Sequence, residues 1–190
     1  MRILFLFFVV LFPQTGYGQT IWDTSGHPKA NGLEIKMKIP AGYEAKEGEK
    51  PHIVQKFVNT TTDSRITRMC MLFIKDMGRE LSKKDAIEVF DDYQSILKEI
   101  GTPIGKATKT TVETLPGAIG DIYISMNRAG LDMVMIMRSM STIYKRNYIS
   151  FQCSVGTAKN SPYRINEEFI KATPEFFTFF NGVTIRNVYR

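Results

Sequence analysis

Three stretches between residues 33 and 74 carry the hydrophobic pattern of β-strands. In Leu33–Ile39 apolar residues alternate with charged ones, which predicts a half-buried strand that Pro40 ends. Residues 52–59 predict a second strand. Residues 66–74 are apolar on both faces, so we expect a third strand that is covered on both sides. The charged residues 44–51 predict an exposed loop between the first two strands.

The pattern then changes to that of an amphipathic helix. Ser82 and Asp85 have the spacing of a capping box, which predicts a helix start at this point. The apolar residues after it recur at helical spacing on one stripe: Ile87, Phe90, Tyr93, Leu97 and Ile100. Gly101 stands where a left-handed C-cap is expected, and Pro103 prevents continuation. The sequence therefore predicts one helix that ends near residue 100.

Strand patterns return after this helix. Residues 106–115, 117–126, 133–140 and 149–155 predict four strands, and residues 127–130 predict a hairpin turn. Ser139 and Ser141 are expected on the solvent face of their strand. Thr173 and Pro174 predict the start of a last, Phe-rich helix that ends at Asn181 and Gly182.

The predicted order is three strands, a helix, about four strands and a helix. Such segregation of strands and helices implies an α+β fold. In such a fold, an antiparallel sheet of about six to seven strands has helices packed on its faces. We see no internal repeat and no low-complexity linker in the chain.

The first 18 residues have the organisation of a secretory signal peptide. Arg2 precedes an apolar run over residues 3–12, and Pro13 and two glycines follow before the expected cleavage after Gly18. Retention of this segment as an anchor is the alternative. The apolar run is too short to span a bilayer, and no second run occurs, so no transmembrane segment is expected after leader removal. Export places the protein in the periplasm or outside the cell.

The rest of the chain divides into a short lead-in and one domain. Residues 19–32 are polar and contain glycine and proline, which predicts an irregular lead-in. Residues 33–190 have the length of a single domain. Apolar residues make up 43% of the chain and charged residues 23%, which is ordinary for a globular domain.

The order of these elements resembles the PsbP-like family. Matching pieces are the turn at residues 39–43, Gly117 at the start of a hairpin strand, residues 148–151, and the Phe-rich helix that ends near Gly182. The family includes the photosystem II extrinsic protein PsbP, the Ran-binding Mog protein and bacterial exported proteins of the DcrB and LpqN kind. The resemblance covers most of residues 33–186 and implies an α/β/α sandwich. Family members share no catalytic residues, so the resemblance favours a binding or accessory protein.

Two cysteines, Cys70 and Cys153, lie in strand patterns with apolar neighbours. An even cysteine count in an exported protein is typical of a disulfide. Two buried free thiols remain the alternative, since the sequence does not give the distance between the strands.

Methionines form the most unusual chemical signal. Met69 and Met71 flank Cys70, and Met133, Met135 and Met137 alternate along another strand. Clustered thioethers can hold Cu(I), but methionine also packs sheet cores, and the apolar residues between these methionines favour the core interpretation.

Other catalytic and metal-binding patterns are missing from the sequence. The two histidines, His27 and His52, are far from any HExxH or CxxC spacing, and no GxSxG motif occurs. We therefore predict no catalytic residue, no metal and no cofactor. The net charge of +6 comes from dispersed lysines and arginines, which favours loose attraction to anionic surfaces; export argues against nucleic acid as a partner.

The sequence as a whole predicts an exported, non-enzymatic binding or accessory protein of the cell envelope. Its partner is a protein, another envelope component or an apolar ligand. An inhibitor or immunity-type protein that blocks a toxin or hydrolase is the alternative, and a hydrolase without a recognisable motif is the least favoured. Two surface segments are the predicted binding loops, because loops on a rigid scaffold commonly carry recognition. Their candidate residues are Tyr43, Lys46 and Lys50 in the first loop and Tyr144, Lys145 and Arg146 in the second.

Overall fold

The structure is a computed structural model that describes residues 20–60 and 63–187. The predicted signal peptide lies outside the described residues. Within them the chain forms ten strands: β1 Thr20–Asp23, β2 Leu33–Ile39, β3 Tyr43–Glu47, β4 Ile53–Asn59, β5 Ile66–Asp76, β6 Thr102–Val112, β7 Leu115–Arg128, β8 Leu131–Tyr144, β9 Asn147–Ala158 and β10 Thr184–Asn187. The helices are α1 Lys83–Asp91, α2 Tyr93–Ile100 and α3 Ile165–Asn181, and a short 3-10 helix spans Pro28–Ala30.

Seven strands form one antiparallel sheet in the order β3-β4-β5-β9-β8-β7-β6. Helices α1 and α2 form the connection from β5 to the far edge at β6 and pack on β6 and β7. Helix α3 packs on β9, β8 and β5, on the opposite face. The predicted α+β fold with helices on both faces of an antiparallel sheet is confirmed.

A second, three-stranded sheet has the order β1-β2-β10. The sequence predicted its central strand, β2, as part of the main sheet. Instead β2 contacts helix α3, and its apolar side chains join the core between α3 and the main sheet. The predicted irregular lead-in is wrong in part, because Thr20–Asp23 forms a strand antiparallel to β2. Trp22 explains why this segment is ordered, since its ring packs edge-on against Phe57 with centroids 5.2 Å apart.

The helix predicted from residue 82 begins as expected but is two helices. Ser82 and Asp85 exchange both hydrogen bonds of a capping box. Asp92 then leaves the helical conformation, with φ −106° and ψ 28°, and separates α1 from α2. Gly101 ends α2 in an extended conformation, with φ −177°, so the predicted left-handed cap is wrong.

Helix α3 begins at Ile165, eight residues before the predicted start. Pro174, which was expected in the first turn, lies inside the helix. Proline cannot donate a backbone hydrogen bond, and the Thr173 hydroxyl donates one to the Phe169 carbonyl at 2.9 Å in the same turn. The helix is held by the core on its inner face, where Phe176 and Phe179 are fully buried.

Part of the predicted exposed loop at residues 44–51 is the edge strand β3, which pairs with β4. All of its residues after Tyr43 are exposed, since the strand has one partner and only charged residues and an alanine. This charge on an edge strand discourages pairing with other chains.

Cys70 and Cys153 form a disulfide between β5 and β9. The two residues are direct partners in the strand register, with Cα atoms 4.0 Å apart, and each is about 1% exposed. The bridge therefore crosses the centre of the sheet beneath α3.

Candidate functional site

One end of the main sheet brings together four segments, which we call the turn end. They are the 3-10 helix Pro28–Ala30, the β3–β4 connection at residues 48–52, the end of β5 at residues 74–76, and the β8–β9 turn at residues 145–146. Both predicted binding loops contribute to it. The turn end therefore combines parts of both predicted binding loops on one side of the molecule.

The β3–β4 connection is fixed by close backbone contacts. Gly48 is buried, and a Cβ atom there would lie 2.0 Å from the Ile53 carbonyl oxygen, so no side chain fits. Lys29 reaches across from the 3-10 helix, and its Nζ donates to the Gly48 carbonyl at 2.5 Å. The 3-10 helix is itself capped by His27, whose Nδ1 accepts from the Lys29 backbone N–H at 3.2 Å.

The β8–β9 turn is tied to the end of β5. Arg146 forms an ion pair with Asp76, with Nε–Oδ1 and Nη2–Oδ2 distances of 2.8 and 2.6 Å. These bonds, with one from the Gly78 N–H, lower the pKa of Asp76. Beside the turn, Asn147 accepts a side-chain hydrogen bond from Asn31 at 3.1 Å. Both turns thus have defined positions relative to each other.

An open groove of about 580 Å³ lies between three of these segments, the 3-10 helix, the β3–β4 connection and the end of β5, and the β8–β9 turn lies beside it. Its lining includes Pro51, His52 and Lys75, and the His52 ring packs against Phe73 with centroids 5.6 Å apart. Three lysines at this end, Lys50, Lys75 and Lys145, are exposed and form no ion pair with a described carboxylate. Within the four segments, both acidic residues are already paired, Asp76 with Arg146 and Glu49 with Lys56. The turn end is consequently electropositive.

The sequence-predicted binding residues do not all meet. Lys50, Lys145 and Arg146 lie at the turn end, and Tyr144 lies beside them, with Lys145 Nζ 5.8 Å from its ring centroid. Lys46 lies along the β3 edge and pairs with Glu44 at 2.9 Å.

Tyr43 lies at the other end of β3, opposite Asn59, and contacts helix α3. Its hydroxyl donates to Glu175 at 2.7 Å, and Glu175 also binds Arg68 at 2.7 Å. Burial and the Glu175 carboxylate raise the pKa of Tyr43 well above its ordinary value. This side chain therefore joins α3 to the sheet.

Sequence reasoning missed four turn-end residues: Lys29, Asn31, His52 and Lys75. Their sequence neighbourhoods carry no motif. Strand pairing of β4 with β5 brings His52 and Lys75 together, and hydrogen bonds to Gly48 and Asn147 add Lys29 and Asn31.

A second region of interest is a buried hydroxyl cluster under α2. The Tyr93 hydroxyl lies 2.9 and 2.8 Å from the Oγ atoms of Ser139 and Ser141, and Ser150 joins both serines at 3.1 and 3.0 Å. The expectation that Ser139 and Ser141 face solvent is wrong, since both are at most 1% exposed. No histidine or carboxylate appears among these hydrogen bonds, so the cluster lacks a base that would activate a serine.

A cleft of about 520 Å³ lies between α1–α2 and the edge strand β6. Strand β6 bulges here, and its pairing with β7 is interrupted between Ile104 and Thr108. The Gln94 side chain bonds the bulge instead: it accepts from the Ala107 N–H at 2.7 Å and donates to the Gly105 carbonyl at 3.2 Å. Gln94 thereby fixes the cleft wall. Lys109 and Asp91, at the rim, form an ion pair.

The described residues contain no group of three or more His, Cys, Asp or Glu side chains arranged to hold a metal ion. In the same part of the chain, no helix combines the length and apolar character needed to cross a membrane.

Comparison with known proteins supports the fold. No family model matches the chain, and neither does any curated protein. Among solved structures, the chain is similar to LpqN of Mycobacterium tuberculosis, a protein involved in cell envelope biogenesis. The TM-score is 0.53 at 12% sequence identity, over 87% of this chain and 91% of that chain. A Bacteroides thetaiotaomicron structure has a TM-score of 0.42 at 16% identity, over 90% of this chain and 49% of that one. The chain thus shares its fold with LpqN.

Proposed function

We propose that this chain is an exported, non-catalytic binding protein of the cell envelope, and that its turn end recognises an anionic envelope component. The observation that carries the proposal is the set of three unpaired, exposed lysines, Lys50, Lys75 and Lys145, at one end of the sheet. Elsewhere in the described residues, many basic side chains are neutralised by acidic partners. A partner with negative charge would bind this end by long-range attraction and by direct contact.

Rigidity also favours recognition at this end. Each lysine stands on a segment that backbone or side-chain bonds fix, such as the Lys29–Gly48 and Arg146–Asp76 contacts. A preorganised site loses less conformational entropy on binding than a mobile loop does.

Three observations support the envelope location. The Cys70–Cys153 disulfide is typical of an oxidising compartment outside the cytoplasm. The leader pattern of residues 1–18 predicts export. LpqN, which has the same fold, is involved in cell envelope biogenesis, and the PsbP-like resemblance favours accessory roles.

The titratable groups favour binding over catalysis. A carboxyl group that acts as a general acid at neutral pH needs a raised pKa. The described carboxyl groups with a shifted pKa have it lowered instead, by hydrogen bonds from Ser25, Arg65, Arg146, Ser82 and Lys171. Such carboxylates stay charged and suit ion pairs.

The test is co-sedimentation of the oxidised, leader-free protein with three separate probes: isolated envelope polymer, anionic lipid vesicles and neutral lipid vesicles. We expect binding to an anionic probe that falls at high salt, because screening weakens exposed charge pairs. The double variant Lys50→Glu/Lys145→Glu should abolish it. The matched control, Lys84→Glu/Lys98→Glu, makes the same change of net charge on α1 and α2 and should retain it.

Each result separates the candidates. Polymer or lipid binding identifies which anionic source is recognised. If both double variants lost binding equally, net charge alone would explain the binding, and this would contradict a site at the turn end. Tight stoichiometric capture of a single toxin or hydrolase, with no binding to the probes, would replace the proposal with the inhibitor alternative. Turnover of a hydrolase substrate that is abolished by one carboxylate substitution would replace it with an enzyme.

A further inference from the structure

Six methionines lie on one face of the main sheet, which we call the thioether face. Side chains alternate along a strand, so residues two apart share a face. Met137 belongs to the core beneath α1 and α2, and strand register places the others on the same side. The thioether face consists of Met69 and Met71 on β5, Met126 on β7, and Met133, Met135 and Met137 on β8.

Most of these methionines are not core residues. Helices α1 and α2 cover Met137, which is 2% exposed. Met133 and Met135 are half-buried and Met126 is 38% exposed, because this part of the face extends beyond the helices. Among Met133, Met135 and Met137, the core interpretation of the sequence pattern therefore fits only Met137.

Met126, Met133 and Met135 are immediate neighbours. Met126 is the direct strand partner of Met133, and such partners have Cβ atoms about 5 Å apart. Met135 lies two residues from Met133 on the same face, about 7 Å along the strand. A methionine side chain is unbranched and has three rotatable bonds, so three sulfur atoms at these spacings can converge on one point.

The neighbouring strand leaves room for such convergence. The residues of β9 opposite Met133 and Met135 are Ala158 and Gly156, which have little or no side chain. The nearest Met135 side-chain atoms lie 3.8 Å from the position of a Cβ on Gly156, which is ordinary van der Waals contact. The thioethers thus border a shallow trough that solvent reaches.

We propose that Met126, Met133 and Met135 form a three-thioether binding site for Cu(I). Thioether sulfur is a soft ligand and selects soft monovalent copper over zinc, magnesium or calcium, which prefer nitrogen, oxygen or thiolate. No cluster of carboxylates and imidazoles competes for the ion among the described residues. Both cysteine sulfurs are joined in the buried disulfide, so thioethers are the sulfur that a soft ion meets at the surface.

This site is separate from the turn end. Met133 and Met135 lie near the start of β8, whereas the β8–β9 turn follows the end of that strand at Tyr144. Copper binding therefore does not depend on the proposed envelope recognition, and either proposal can fail alone.

The experiment titrates the oxidised protein with Cu(I) under anaerobic conditions against a coloured competing chelator. Methionine methyl resonances are recorded in parallel by NMR. We expect one Cu(I) per chain and shifts of the Met126, Met133 and Met135 methyl signals. The variant Met126→Leu/Met133→Leu should weaken binding by about tenfold or more, which corresponds to about 1.4 kcal/mol or more.

The matched control is Met69→Leu/Met71→Leu, which makes the same substitutions on the same face, on β5. Leucine replaces methionine at small cost, so both variants should remain folded, and their thermal unfolding verifies this. The control should bind Cu(I) like the original chain. The proposal would be overturned if the protein bound no Cu(I), or if all three proteins bound it equally. It would also be overturned if this face bound an apolar fluorescent probe but no Cu(I).

Discussion

At the residue scale, the same type of side chain has different roles that its local sequence does not reveal. Tyr43 and Tyr144 both border predicted binding loops, yet Tyr43 joins the sheet to helix α3 through Glu175. Glu175 lies 132 residues away in the sequence, so no local pattern could predict this pair. The strand alternation did correctly indicate where Cys70 and Cys153 lie, but only the strand register brings them together.

The first residue-scale prediction concerns the Tyr43 hydroxyl. Tyr43→Phe should lower the free energy of unfolding by about 1 kcal/mol, because it removes the hydrogen bond to Glu175. The cost stays small because the Glu175 carboxylate keeps its ion pair with Arg68. Urea denaturation measures the change. Tyr123→Phe is the control, since the Tyr123 hydroxyl has no hydrogen-bond partner among the described residues. An equal effect of both substitutions would argue against the Tyr43–Glu175 bond.

The second concerns the disulfide. The bridge closes a segment with a sequence separation of 83 residues, which restricts the unfolded chain. Cys70→Ala/Cys153→Ala should therefore lower the free energy of unfolding by about 2–5 kcal/mol. Reductant should destabilise the original chain during unfolding and leave the double variant unchanged. If reductant affects neither protein, the bridge does not form.

At the element scale, periodicity predicted strands such as β2 and the positions of α1 and α2 because each of them buries one regular face. It failed where tertiary contacts decide. Strands β1 and β10 are short and gain order by pairing with β2, and α3 extends eight residues before Thr173 because Phe169 and Ala172 pack on the sheet. The β6 bulge depends on Gln94 in another element, which periodicity cannot show.

The element-scale prediction concerns the packing of α2 on β7. A Cβ on Gly120 would lie 2.4 Å from Cδ1 of Leu97, whose side chain is only 1% exposed and has little space to move into. Gly120→Ala should therefore displace Leu97 and cost about 1–3 kcal/mol of stability. Gly156 is a matched strand glycine whose added Cβ would meet no atom closer than 3.7 Å. Gly156→Ala should leave stability unchanged or raise it by up to about 1 kcal/mol. Thermal and urea unfolding compare the two, and equal destabilisation would contradict the described packing.

At the scale of the whole molecule, the fold was predictable and the candidate site only partly so. The order of strands and helices was sufficient for the α+β class. Lys50 and Lys145 were singled out one by one, but only the sheet topology shows that they lie at the same end of the sheet as Lys75 and His52. Sites built from several distant segments leave no spacing pattern in the sequence.

The central claim is that the exported protein binds an envelope component through its turn end. The most direct measurement is photocross-linking in intact cells, with a photoreactive residue at Pro51 in the turn end or at Ser95 on the exposed side of α2. We expect the disulfide-bonded, exported protein to give adducts with an anionic envelope component from position 51 and none from position 95. Adducts of equal yield from both positions, or adducts only with cytosolic proteins, would contradict the claim.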